Sequence, residues 1–554
     1  MSKGRGARPG PLWLWGLRRA SSSVLTRLFS PALRRPVVGV PSAQTLAPAL
    51  VATGDAERAE AIYAGHFALA GQQVDVAGHS PFSVPPVSDA WGDALHSFGW
   101  LADLNESASR LSSSNARALV DEWLAGGHAH KGADAPHLVA ARLTAWLAYA
   151  PLLLDGADMP FRKRLMRAVG RHCRQLEKAL ALRQGDALSL SAALALAGVC
   201  SEGIARVRRT GLAALEDALA AAILPDGGHA SRSPAAIADA LRTLMPVERA
   251  LIEAQEPVPA WLSGAIDKML PMLGYFDDGA GGLMDFHGGG AVTPAHVAAL
   301  IEFGGREVGQ AADNARYVGF QRIAASGIVA HLDTGQTPPP DFSARAHGVC
   351  LSLHVRAGPQ VLIGSCGALD YARPDLADVA RSSAAHSALT IADTSVATPS
   401  RLWGGRLIGG PSPVAVERRA LAVRARHDGY QHRFGMTHER TIRLREDGGA
   451  LVGVDRLKGS ERLAGRPFTV RFHLASTTRV RLERRRRRAL LTLGDGMEWL
   501  FRVDEGPDIY VEESVVLEGG EVAASKQLVL TGNTLTDAQL RWQVVRQQRK
   551  VFDE

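Results

Sequence analysis

The 554-residue chain has only four cysteines, Cys173, Cys200, Cys350 and Cys366, and none forms a CxxC pair. That scarcity excludes a disulfide scaffold and a zinc ribbon, and it leaves buried thiols acting as small hydrophobes. Cys350 and Cys366 fall in or beside neighbouring predicted strands, so a bridge between them is the alternative, with free thiols the expected state. No run of 18 apolar residues exists, so no membrane-spanning helix is expected. Acidic residues are absent from Met1 to Gly54, where Lys3, Arg5, Arg8, Arg18, Arg19, Arg27, Arg34 and Arg35 are all positive. Much of the net charge of +7 therefore sits in one segment, and the remainder is closer to neutral. The apolar stretch Pro11 to Leu17 is followed at once by Arg18 and Arg19, which matches a secretory signal poorly. A disordered basic tail over 1–54 is expected, and it offers a peripheral membrane contact.

What is present is a large core: 46% hydrophobic and 21% charged residues, over a length too great for one compact domain. The texture changes near residue 310. Before it, apolar residues recur at helical spacing in His137–Leu154, Pro160–Ala181, Leu188–Ala205, Arg209–Leu224, Ile237–Ala254 and Ala260–Leu273. After it come short alternating runs: Ile328–Leu332, Val349–Val355, Val361–Ile363, Ala388–Ile391, Arg440–Arg445, Ala450–Arg456, Phe468–Leu474 and Leu490–Leu493. The expected fold is α+β and multidomain. A helical toroid spans 55–308 and an antiparallel β-sandwich spans 309–554. Arg484 to Arg488 lacks the aromatic partners of a nucleic-acid patch and reads as a charged hairpin edge.

Six stretches carry chemistry. In Trp91–Leu104 (WGDALHSFGWLADL), Trp91, Leu95, Phe98 and Leu101 form a core stripe that carries His96. In Leu224–Pro234 (LPDGGHASRSP), Ser233 and Pro234 read as N-cap and first residue of a helix, leaving His229 and Arg232 on the loop before it. A loop Arg suits bidentate capture of a carboxylate. Asp277–Gly290 (DDGAGGLMDFHGGG) is glycine-rich, holds Asp278, Asp285 and His287, and lacks calcium-loop or phosphate-loop spacing. His347 and His386 each precede a strand. His427–Arg440 (HDGYQHRFGMTHER) packs His427, Tyr430, His432, His438 and Arg440 together, and alternation sends His438 and Arg440 to one face. In Arg471–Leu474 (RFHL), His473 alternates with apolar residues and reads as structural.

These stretches, in this order from about Ala56 to Val551, resemble the heparinase II/III superfamily, in particular its alphaproteobacterial branch. LPDGGHASRSP, AAHSALTIAD, HDGYQHRFGMTHER and RFHLAS carry most of the likeness. The resemblance implies an incomplete (α/α) toroid on a β-sandwich, a groove between them, and β-elimination of a uronic-acid polysaccharide in the cell envelope or periplasm. That reaction needs a group to neutralise the C5 carboxylate, a base for the C5 proton and an acid for the leaving O4. The family's Tyr falls at Ala236 here, and its Asn-His element falls at Gln184 to Leu188, with neither residue type. A family zinc site implies His347, His386 and an Asp, but Ser365 or Cys366 stands where that Asp belongs. Structural zinc is therefore the only cofactor the resemblance suggests, with one ligand missing. If elimination survives, His386 is the expected base or acid, with His229 and Arg232 on the carboxylate. Tyr430 is the other proton carrier and His438 a further candidate, while His347, Arg440, His96 and His287 face substrate. The expected partner is an anionic polysaccharide, not nucleic acid. The alternative is a glycan-binding protein that keeps the fold without elimination.

Overall fold

The computed structural model describes residues 39–547, apart from 53, 108, 127–129, 289–291, 310, 370–373, 413, 460–464 and 519. Most of the expected basic tail thus lies outside the described residues. Its described end is bonded to the helical domain: Ser42 N donates to the Glu202 carbonyl (3.1 Å) and Thr45 N to that of Cys200 (2.9 Å). The Gln44 amide adds a bond to the Leu147 carbonyl.

Helices run from Ala56–Tyr63 to Pro294–Gly304. Ala187–Cys200 is apolar on every side, and twelve of its fourteen residues are buried, so it occupies the centre of the bundle. Ala205–Ala222 packs tightly on it because two glycines meet there. A Cβ on Gly198 would lie 2.2 Å from Arg208 N, and one on Gly211 would lie 2.6 Å from Ala195 N. The expected helix over His137–Leu154 is split into Pro136–Ala148 and Ala150–Leu154. Pro151 lacks the N–H that a continuous helix would need. Trp91, Leu95, Phe98 and Leu101 are all buried, but Phe98 does so as a left-handed C-cap (φ 62°) between two helices.

The strands form antiparallel sheets. One has eight strands, ordered Val414–Arg419, Ala422–His427, Met436–Leu444, Ala450–Gly459, Gln539–Arg546, Glu498–Glu505, Arg488–Thr492 and Arg479–Leu482. A four-stranded sheet (Ile509–Glu518, Glu521–Asn533, Pro467–His473, Leu389–Ile391) shares an apolar core with it, including Phe472, Phe501 and Trp542. Trp542 lies flat against its neighbour strand because Gly453 has no side chain; a Cβ there would meet the indole at 2.0 Å. The expected strand over Val349–Val355 starts only at Leu353, since Leu351 adopts φ 55° and breaks the extended run.

A third, five-stranded meander (Asn314–Ala315 through Gln360–Ile363) joins the two domains. Its Phe320 packs on Phe276 and Phe286 (centroids 5.1 and 4.9 Å), which follow the last long toroid helix, Ala260–Tyr275. A ring nitrogen of His331 bonds the Tyr275 carbonyl at 2.8 Å. All four cysteines are buried free thiols. No helix among the described residues is long and apolar enough to cross a membrane.

Candidate functional site

Four of the residues singled out by sequence meet where toroid and sandwich join. Arg232 and His287 come from two toroid loops, and His347 and His386 from the sandwich. The two loops are tied by Ser233, whose hydroxyl donates to the Gly288 carbonyl. Ser233 occupies the expected N-cap position before Pro234 without making a side-chain cap bond, because its hydroxyl is spent on that tie. Asp333, at the end of a meander strand, was not singled out by sequence, and it organises the cluster. It accepts from the Arg232 guanidinium on one carboxylate oxygen and lies 3.0 Å from a His287 ring nitrogen on the other. Arg232 also donates to the carbonyls of Val318 (2.8 Å), Gly319 and Gln336 (both 3.2 Å) and lies over the Phe320 ring. The backbone of His347 then donates to the other ring nitrogen of His287 (3.3 Å), and the His347 and His386 rings stack at 4.5 Å.

The result is a continuous row, Arg232–Asp333–His287–His347–His386, and every member is 5% exposed or less. Arg232 and His287 hold left-handed backbone (φ 67° and 55°), a conformation non-glycine residues rarely adopt, so the joint is kept at some cost in strain. Burial alone would raise the Asp333 carboxyl; Arg232 and then His287 bring it down to about 2. Burial, aided by the neighbouring His473 and His287, pushes His386 down to about 3, so its ring is neutral. The ring presents almost no surface to solvent. The row reads as an interdomain joint.

The remaining predicted residues lie elsewhere. Tyr430 is buried, and its hydroxyl donates to the Leu389 and Thr394 carbonyls (2.9 and 3.2 Å), while burial raises its phenol above the usual range. His438 and Arg440 do share a face, as alternation requires, but that face is the sandwich core. Both bond Asp455, at 2.8 and 2.7 Å, and Trp542 donates to the same carboxylate at 2.9 Å. His96 sits inside the toroid, where one of its ring nitrogens accepts from the Trp123 indole (3.0 Å). Below it Arg142, also missed by sequence, bonds the His96 and Ala133 carbonyls and lies 4.0 Å from the Trp123 ring centre; burial lowers it to about 9. His229 is half-buried on its loop. One ring nitrogen accepts from Ser231 N (3.1 Å), the ring meets Phe342 edge-on, and burial lowers it to about 4. His473 bonds the Ala384 carbonyl and Ser514, in keeping with a structural role.

A zinc ion is poorly served. His347 and His386 are adjacent, and one His347 ring nitrogen has no hydrogen-bond partner. Ser365, at the position of the implied Asp, pairs with His386 through backbone and supplies no carboxylate. Among the described residues, no group of three or more His, Cys, Asp or Glu is arranged to hold a metal.

Beside the joint, an open groove of about 700 Å³ separates the toroid loop from the outer sandwich strands. It is lined by Arg316, Tyr317, Asn314, Gln321 and Arg418, with Arg232 at its floor. Asp226, of the DGG turn, fixes this wall by accepting from Tyr317 N (2.8 Å) and Val318 N (3.0 Å). Arg316 donates to the Tyr317 hydroxyl (2.6 Å) and lies across its ring, which is half exposed. Arg418 bonds Gln321 and the Arg322 carbonyl and meets no carboxylate among the described residues. Sequence reading passed over Arg316 and Tyr317 because they sit in the segment read only as a domain boundary. Their useful signal was an Arg-Tyr pair beside that junction.

Residues 307–543 match the family described as Heparinase II/III-like, C-terminal. FtsZ-localized protein C of Caulobacter vibrioides is 28% identical over 499 residues, covering 84% of each chain. Among solved structures, heparinase III superposes with a TM-score of 0.69 at 14% identity, over 97% of this chain and 90% of that one. Heparan sulfate lyase HepC from Pedobacter heparinus does so with a TM-score of 0.61 at 14% identity, over 95% and 87%. At these identities the two lyases share the fold.

Proposed function

We propose that this heparinase II/III-like protein holds an anionic, uronate-type polymer in the groove between its two domains and does not cleave it by elimination. The observation that carries this reading is the contrast between groove and joint. The groove has what binding needs: two guanidinium groups that meet no carboxylate among the described residues, three side-chain amides and a half-exposed tyrosine ring. Planar guanidinium groups recognise carboxylates in bidentate fashion, and amides suit sugar hydroxyls. His386 and His438, the histidines that could serve as acid or base, are buried, and Tyr430 is committed to backbone carbonyls. Elimination requires a base within reach of the C5 proton and an acid near O4.

The test is titration with hyaluronate, alginate and heparan sulfate, read by calorimetry and by the ultraviolet absorbance of unsaturated uronate. Binding that weakens at least tenfold in R316A/R418A, with no double bonds formed, supports the reading. Formation of double bonds that stops in Y317F overturns it in favour of a lyase using the groove tyrosine.

A second reading concerns location. The likeness to a protein named for its localisation with FtsZ spans 84% of both chains at twice the identity shared with the lyases. It supports placing this chain at FtsZ assemblies, where the resemblance read from sequence suggested the envelope. A fluorescent fusion that tracks FtsZ supports this; export of the fusion overturns it.

A further inference from the structure

The eight-stranded sheet buries one face in the sandwich core and turns the other outward, and the pairing register fixes which residues that outer face carries. One row runs Arg488, Arg502, Gln543, Val452, Arg443, Ala422, Arg419, each residue directly opposite the next across seven strands. At about 4.8 Å per strand the row spans roughly 29 Å. Beside it runs a second row, Arg481, Leu490, Leu500, Val545, Ala450. Arg479, Arg426, Arg541 and Lys458 are outward as well.

The acids on this face are few, and most are engaged by a cation or an amide. Glu439 is covered by Arg424, Arg456 and Lys458, one carboxylate among three cations. Glu417 pairs with Arg424, and Asp504 with Arg502. Glu498 lies opposite Thr492, and Glu505 accepts from Gln539. Arg419, Arg443, Arg479, Arg481, Arg488 and Arg541 are exposed and pair with no carboxylate among the described residues. Arg488 stands directly opposite Arg502. Like charges opposed across strands destabilise a sheet, so fold stability alone does not explain the pair.

We infer that this outer sheet face docks an acidic, extended protein segment. Charge complementarity selects an anionic partner, and planar guanidinium groups suit carboxylates. Beside the arginine row, the half-buried Leu490, Leu500 and Val545 give the patch an apolar strip of the kind that protein interfaces bury. The outward rows hold no aromatic residue on which a sugar or a base could stack, unlike the groove at Tyr317. The inference stands apart from the groove and is tested separately from it.

The test uses the full chain with fluorescein-labelled poly-L-glutamate, followed by anisotropy at rising salt, beside chondroitin sulfate and phosphatidylglycerol vesicles. The expected result is salt-sensitive binding of poly-L-glutamate that falls at least tenfold in R443E/R488E and is unchanged in R316A/R418A. All four arginines changed, two on the sheet face and two on the groove wall, are at least partly exposed, and far-ultraviolet dichroism checks that each variant is folded. Absence of poly-L-glutamate binding overturns the inference, as does an equal loss in both variants. Binding of vesicles or chondroitin sulfate that depends on Arg443 and Arg488, with poly-L-glutamate indifferent to them, overturns it in favour of a membrane or a glycan.

Discussion

The His347 and His386 rings lie stacked at 4.5 Å with their planes 30° apart, both sealed from solvent at the seam between two domains. In a groove, two histidines so placed would suggest proton transfer. At the seam they fill space, and burial keeps both rings neutral.

Replacing His386 with Ala should therefore act on stability before it acts on ligand. The change leaves a cavity beside His347 and frees the Ala380 carbonyl, with an expected cost on the order of 2–3 kcal/mol. Urea denaturation should show that loss, while uronate-polymer binding at 25 °C, measured on the folded fraction, stays within about twofold. A loss of binding without a loss of stability would place His386 at the ligand.

Arg232→Ala should be more severe, roughly 3–5 kcal/mol, because it strands the Asp333 carboxylate in a dry site. The double variant R232M/D333L should recover much of that loss, since no charge is then left unpaired. Midpoints in guanidinium chloride measure both.

Gly335→Ala offers an independent route to the same contact. The added methyl would lie 2.2 Å from the Arg232 guanidinium carbon, so Arg232 must leave its place. The loss should approach that of Arg232→Ala, and the two combined should fall well short of their sum.

Acid should loosen the fold earlier than carboxylate chemistry alone would. His172, His386 and His473 are held by burial at about 3, 3 and 4, below the 6.5 of a free imidazole. The unfolded chain takes up those protons first. Each histidine therefore contributes stability that is full above about pH 6.5 and declines as pH falls toward its folded value, at about 1.4 kcal/mol per pH unit. Asp333, held at about 2, adds its own loss only below about pH 4. Urea midpoints at pH 7.5, 6 and 5 should fall steadily, and H386N should flatten the fall.

Legibility from sequence followed the range of the forces involved. Helix and strand periods are local, so the toroid-then-sandwich order and most elements could be read directly, and Pro151 and Leu351 shifted only boundaries. The four cysteines could be read too, because burial of a small hydrophobe needs no partner. The convergence of Arg232, His287, His347 and His386 could not. It depends on Asp333, which sits 101 residues from Arg232 and looks in sequence like the polar end of a strand. Alternation placed His438 and Arg440 on one face correctly but could not say whether that face met solvent, and Asp455 decided it by drawing both inward.

The seam also bears on how the protein can be taken apart. Phe276 and Phe286 belong to one side and Phe320 to the other, and the Arg232–Asp333 pair is divided in the same way. Cut between Gly304 and Asn314, each fragment would show the solvent a greasy wound with half of a charge pair in it. The two halves are recognisable as separate architectures, yet they are not separable modules, and neither is suited to expression, grafting or exchange without the other.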